Sequence, residues 1–188
     1  MRKLRNALTF SALVVAGAAI VPATAIAEER TCRGTIGART LDNVRVPQGA
    51  ECVLKGTNVK GTIKVENRAI LRARGVRVVG NVQGEGARRV DVVGGSRVGG
   101  SVQVVQGRAA KVKRTRVNGD ILYDDNSARL AAIRARVGGN VQAFQNTGGV
   151  RIRGNTIDGN LQCKENRPRP VGGNNTVKGS KEDQCSRL

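Results

Sequence analysis

Val137-Gly138-Gly139-Asn140-Val141-Gln142 is followed, twenty residues on, by Ile157-Asp158-Gly159-Asn160-Leu161-Gln162. The same frame runs back through Gly119-Asp120-Ile121, Gly100-Ser101-Val102, Gly80-Asn81-Val82 and Gly61-Thr62-Ile63, and on to Gly179-Ser180, at steps of 19 or 20 residues. Two residues before each glycine stands a β-branched side chain: Val59, Val78, Val98, Val117, Val137, Ile157 or Val177. Two residues after it comes an aliphatic one, except at Lys181. A fixed period of this length marks a repeat architecture. The alternation of apolar and polar positions within it is that of a strand with one buried face.

A second alternating segment lies half a repeat later, at Leu71 and Ala73, Val90 and Val92, Ala110 and Val112, Leu130, then Val150 and Ile152. Each repeat therefore holds at least two short strands separated by Gly, Asn, Asp and Ser turns. One such unit cannot bury its apolar side alone, whereas units stacked in parallel about 4.8 Å apart share a continuous core. The fold expected is all-β: a single-stranded parallel β-helix of about 20 residues per rung. Right-handed winding is expected because parallel crossovers take that hand. A leucine-rich horseshoe would need recurrent Leu and a helical return segment, and the repeat has neither.

The polar residues after the glycines, Thr62, Asn81, Ser101, Asp120, Asn140 and Asn160, are turn formers able to bond nearby backbone. Gln83, Gln103, Gln142 and Gln162 form an outward column suited to an amide ladder. The four cysteines allow three pairings. Cys32 and Cys52 are 20 apart and Cys163 and Cys185 are 22 apart, each about one rung, so bridges Cys32–Cys52 and Cys163–Cys185 are expected to clamp the two ends. A zinc site would require the ends of the rod to meet.

The chain opens with Met1-Arg2-Lys3-Leu4-Arg5, an apolar run from Ala7 to Val21 and Ala25-Ile26-Ala27, which reads as a secretory signal peptide over residues 1–27. The domain plan is then a solenoid over 28–163 and an irregular cap over 164–188, where Pro168, Pro170, Gly172 and Gly173 interrupt the strand pattern. Capped ends cover strand edges and favour a secreted monomer, with no transmembrane segment once the leader is removed.

Against this background, 33 Lys and Arg face 14 Asp and Glu, a formal charge of +19, with no His and no Trp. The absence of His removes the commonest general base and metal ligand. Serine nucleophiles have no His partner and the cysteines are expected to be oxidised, so no catalytic residue, cofactor or metal is assigned. The densest acidic group is Asp120, Asp124 and Asp125. It is the place a carbohydrate-active enzyme, similar to the pectin-degrading β-helices, would use an acid/base pair, or where Ca²⁺ would find oxygen ligands.

The most informative outward feature is basic. Arg77, Arg97, Arg116 and Arg136 stand three residues before the repeat glycine on four consecutive rungs. Arg72 and Arg74, Lys111 and Lys113, and Arg151 and Arg153 form a second band, interrupted by Asp91. Guanidinium groups at regular spacing suit a linear anionic polymer, such as teichoic acid or acidic polysaccharide. With so few aromatic rings, nucleic acid would be held only non-specifically, through its backbone.

From Val44 to Leu161 the Val-x-Gly-Asn-Val columns, as at Val78–Val82 and Val137–Val141, resemble those of the bactofilins, polymer-forming cytoskeletal β-helix proteins. That resemblance implies an intracellular, uncapped, self-assembling protein, from which the leader, the paired cysteines and the polar tail depart. Gly159-Asn160-Leu161-Gln162-Cys163-Lys164-Glu165-Asn166 and Lys181-Glu182-Asp183-Gln184-Cys185, with the leader, resemble small secreted actinobacterial β-solenoid proteins. This second likeness implies a fold and an extracellular compartment. The function expected is that of a non-enzymatic extracellular structural or envelope-associated binding protein. The alternatives are the carbohydrate-active enzyme and a self-assembling surface scaffold.

Overall fold

The structure is a computed structural model that describes residues 28–188; the signal-peptide reading of 1–27 lies outside the described residues. The described chain is an all-β parallel solenoid of about 20 residues per turn with no helix. Each turn contributes three strands, one to each of three parallel sheets of nine, eight and eight strands. On one representative turn these are Val82–Glu85 in the first sheet, Arg89–Val93 in the second and Arg97–Val98 in the third.

The third strand departs from the sequence reading, which placed the aliphatic residues on either side of the glycine on one strand. The chain turns a corner there: Val78 belongs to the third sheet and Val82 to the first. Both still face inward, so the apolar alternation passes through the corner unbroken and conceals it. The glycine makes the corner possible. A Cβ on Gly80 would lie 2.7 Å from the Gly61 carbonyl oxygen of the rung before, closer than any side chain can stack.

The core is one continuous column. Val44, Ile63, Val82, Val102, Ile121, Val141 and Leu161 stack in register along the first sheet, and Cys52, Leu71, Val90, Ala110, Leu130 and Val150 along the second. All of them are buried. Burying a Val or Ile side chain stabilises by about 1.5–3 kcal/mol.

The side chains at the glycine corner bond as expected, but across rungs. The Asn81 side-chain oxygen accepts the Ser101 N–H at 2.8 Å, the Ser101 hydroxyl oxygen accepts the Asp120 N–H at 2.9 Å, and Asn140 accepts the Asn160 N–H at 2.8 Å. The glutamine column is a pair of short ladders. Gln83 donates to Gln103 and Gln142 to Gln162, and Leu122 breaks the column between them.

Two internal ladders of asparagine were not anticipated. At the corner between the first and second sheets, Asn126 donates from Nδ2 to Asn146 Oδ1, Asn146 to Asn166 Oδ1 and Asn166 to Gln184 Oε1. At the corner between the second and third sheets, Asn155 donates to Asn175 in the same way. These asparagines are buried, and each amide also donates to a backbone carbonyl, as Asn146 does to Tyr123 at 3.0 Å. A buried amide is tolerated only when so satisfied.

Both disulfides form as expected, Cys32–Cys52 with Cα atoms 5.5 Å apart and Cys163–Cys185 with Cα atoms 5.2 Å apart. Where an irregular cap was expected over 164–188, three short strands, Val171–Gly173, Thr176–Val177 and Lys181–Asp183, extend all three sheets by one more rung. Pro168 and Pro170 precede the first of these strands, where a missing N–H interrupts no ladder.

Candidate functional site

Each of Arg77, Arg97, Arg116 and Arg136 opens a two-residue strand of the third sheet and is followed by a buried valine. Successive residues of a strand face opposite ways, so a valine held in the core sends the arginine outward. The four pair directly, Arg77 with Arg97, Arg97 with Arg116 and Arg116 with Arg136, between Asn58 at one end and Thr156 at the other. The column anticipated in the sequence is therefore a single exposed row about 4.8 Å in repeat.

Among the described residues none of these four arginines takes part in an ion pair. The row borders a shallow groove of about 420 Å³ whose other wall carries Val79, Gly99 and Asn118. Val79 is 63% exposed there, an apolar spot beside a row of cations. Asp158 stands just past the end of the row. Its carboxyl is held below the usual carboxylate range chiefly by the Lys178 hydrogen bond, opposed by desolvation and aided by the charges of Lys178, Arg136 and Arg116. Lys178 at 2.8 Å is the carboxylate's direct partner.

The second basic band lies on the outer face of the second sheet. Arg72, Asp91, Lys111, Ala131 and Arg151 follow one another in register there, with Arg74, Val93, Lys113, Ile133 and Arg153 beside them. Arg72 is engaged by Glu51 at 2.7 Å. Arg89 and Arg129, which the sequence reading did not include, belong to the same face. Their 40-residue separation was the available signal.

The acidic group is not gathered into one cleft. Asp120 sits at the glycine corner, where its Oδ1 accepts the Asn140 N–H at 2.6 Å. Asp124 is on the outer face of the first sheet, about 13 Å further along the strand. Asp125 occupies the next corner with φ 52°. Among the described residues no group of three or more His, Cys, Asp or Glu is placed to hold a metal ion.

The fold and these surfaces define a disulfide-clamped, three-sided parallel β-solenoid with ordered rows of Arg and Lys on two of its faces. Compared with protein-family models, with curated proteins and with solved structures, the chain matches none.

Proposed function

We propose that the protein is a non-enzymatic extracellular binding protein of the cell envelope that holds a linear anionic polymer along its third face. The observation that carries this reading is the stacking of Arg77, Arg97, Arg116 and Arg136 in register with, among the described residues, no carboxylate bonded to any of them. Like charges directly opposite one another destabilise a sheet, so the row is relieved when an anion lies across it. Guanidinium pairs phosphate or carboxylate in a two-pronged fashion, and the solenoid fixes the backbone spacing of the row beforehand, so that only the arginine side chains have to be ordered on binding.

Export fits the two disulfides, which are compatible with an extracellular protein. It also fits the leader reading of residues 1–27. The test is retention on immobilised linear polyanions, with inorganic polyphosphate as the first probe. Arg97→Glu with Arg116→Glu removes retention if the row is the contact; retention equal to that of the parent protein removes the row from the account.

A further inference from the structure

The first face differs from the other two in charge. In a chain of formal charge +19, its strands Val82–Glu85, Val102–Val105, Ile121–Asp124 and Val141–Phe144 carry no Lys or Arg on four consecutive rungs. Alternate residues of these strands are buried, so the others point outward. One outward column runs in register through Gln83, Gln103, Leu122, Gln142 and Gln162, with Lys64 at one end and Glu182 at the other. Beside it stand Glu85, Val105, Asp124, Phe144 and Lys164, also in register. Val105, Leu122 and Phe144 are half-buried and lie together at the middle of the face.

Both columns are palindromes about the Leu122 and Asp124 rung, with the charge inverted between the two halves. Lys64 stands three rungs before Leu122 and Glu182 three rungs after it. Glu85 stands two rungs before Asp124 and Lys164 two rungs after it. Between these charges Gln103 mirrors Gln142 and Val105 mirrors Phe144. Among the described residues Lys64 and Glu85 take part in no ion pair, and Lys164 reaches only Glu165, at 3.9 Å. Glu85 and Lys164 are four rungs apart, about 19 Å, and cannot meet within one molecule.

We propose that the first face is the contact between two copies of this chain, an antiparallel homodimer about a twofold axis along the Ile121–Asp124 strand. Rotation about that axis reverses the order of the rungs and sets each column opposite its own copy. Lys64 then faces Glu182 of the partner subunit, Glu85 faces Lys164 of the partner subunit and Val105 faces Phe144 of the partner subunit, each twice. A parallel arrangement would instead set Leu122 against Asp124 of the partner subunit and Glu85 against Gln83 of the partner subunit. Two bodies of strong like charge approach at least electrostatic cost through the surface that lacks cations. The unfavourable meeting is that of Asp124 with its own copy on the axis. The contact spans about 29 Å along the solenoid and about 13 Å across, which is small for a permanent dimer, so the association is weak. It closes at two copies and leaves the second and third faces free. The expected monomer rested on covered strand edges, which this contact does not use, and the inference does not need the third-face arginines to bind anything.

The test is sedimentation equilibrium of the oxidised protein without any polymer. Reversible association to twice the protomer mass is expected, half complete at about 10–100 µM. Glu85→Lys sets like charges together at both ends of the contact and should weaken association by about tenfold or more. Lys164→Glu lowers the overall positive charge and should weaken it as much. The two changes in one chain leave the net charge as it was and should restore association to within about threefold of the parent. No contact within one molecule accounts for that restoration. Asp124→Asn should tighten the dimer by about threefold or more. Unchanged melting temperatures show that the variants are folded. A protomer mass that persists to about 1 mM, a double variant as weak as the single ones, no tightening in Asp124→Asn, or masses that grow past two copies as strand-edge contacts would give, overturns the proposal.

Discussion

Arg97 and Arg116 occupy the same place on adjacent rungs, paired in parallel register and both exposed. Two guanidinium groups in that relation repel. Arg116→Gln should therefore raise stability by about 0.2–1 kcal/mol at low ionic strength. The gain should shrink at physiological salt, where the Debye length is about 8 Å. Thermal melts of the two proteins across a salt series check this, and a loss of stability on substitution would show that the arginine stems contribute packing that outweighs the repulsion.

Asn146 is the centre of the longer internal ladder. Its Oδ1 accepts the Asn126 N–H and Nδ2, and its Nδ2 donates to Asn166 Oδ1 and the Tyr123 carbonyl. Asn146→Ala leaves several buried groups without partners at about 1–3 kcal/mol each, for a total loss of about 3 kcal/mol or more. Denaturant unfolding measures it. A loss below 1 kcal/mol, on the order of one neutral hydrogen bond, would mean that water enters and replaces the amide.

Glycines that look alike in the sequence should differ sharply. Gly80→Ala drives a Cβ against the Gly61 carbonyl and the Thr62 hydroxyl, and should destabilise by about 1–3 kcal/mol as overpacked sites do. Gly37→Ala meets nothing within 4 Å and has no positive φ, so it should be neutral or gain about 0.4–1 kcal/mol from a less flexible unfolded chain. Paired melting curves decide, and equal effects would contradict the close approach of the rungs at the glycine corner.

Tyr123 is fully buried, and its hydroxyl donates to the Ala131 carbonyl at 3.0 Å. Burial pushes its phenol well above the ordinary value of 10.0, with the Asp91 charge adding and a backbone hydrogen bond opposing. The folded form therefore holds the proton longer than the unfolded one. The stability linked to this group is complete below pH 10.0 and is lost as pH climbs towards the folded value. Tyr123→Phe should be less stable than the parent by about 1 kcal/mol at neutral pH, for the lost hydrogen bond. The difference should narrow above pH 10.0, because phenylalanine has no proton to release. A constant difference across that range would indicate that the phenol is hydrated in the folded state.

The rung length and the parallel stacking were legible because valines recur at one spacing, Val78 with Val98 and Val117, and both disulfides because each cysteine pair is separated by about one rung, although the register partners of Cys52 and Cys163 are Gly34 and Asp183. The corner between Val78 and Val82 was not, since inward positions two apart look alike whether the chain runs straight or turns at a glycine. Asn126, Asn146 and Asn166 are of a residue type common in exposed turns, and composition alone does not reveal that their corner faces the core. Of the basic groups, the consecutive row stood out because it repeats on every rung. The two-rung band at Arg72, Lys111 and Arg151 stood out because each member is doubled two residues on, at Arg74, Lys113 and Arg153, whereas Arg89 and Arg129 have no such doublet and were passed over.

The most direct check on the polymer-binding account is the salt dependence of affinity for a linear polyanion. Each arginine that contacts the polymer releases bound counterions, so log affinity falls in proportion to log salt with a slope set by the number of contacts. Arg97→Gln with Arg116→Gln should make that slope shallower by about two and weaken binding at every salt concentration. A slope that does not change, with affinity intact, would mean that the aligned arginines of the third face do not touch the polymer.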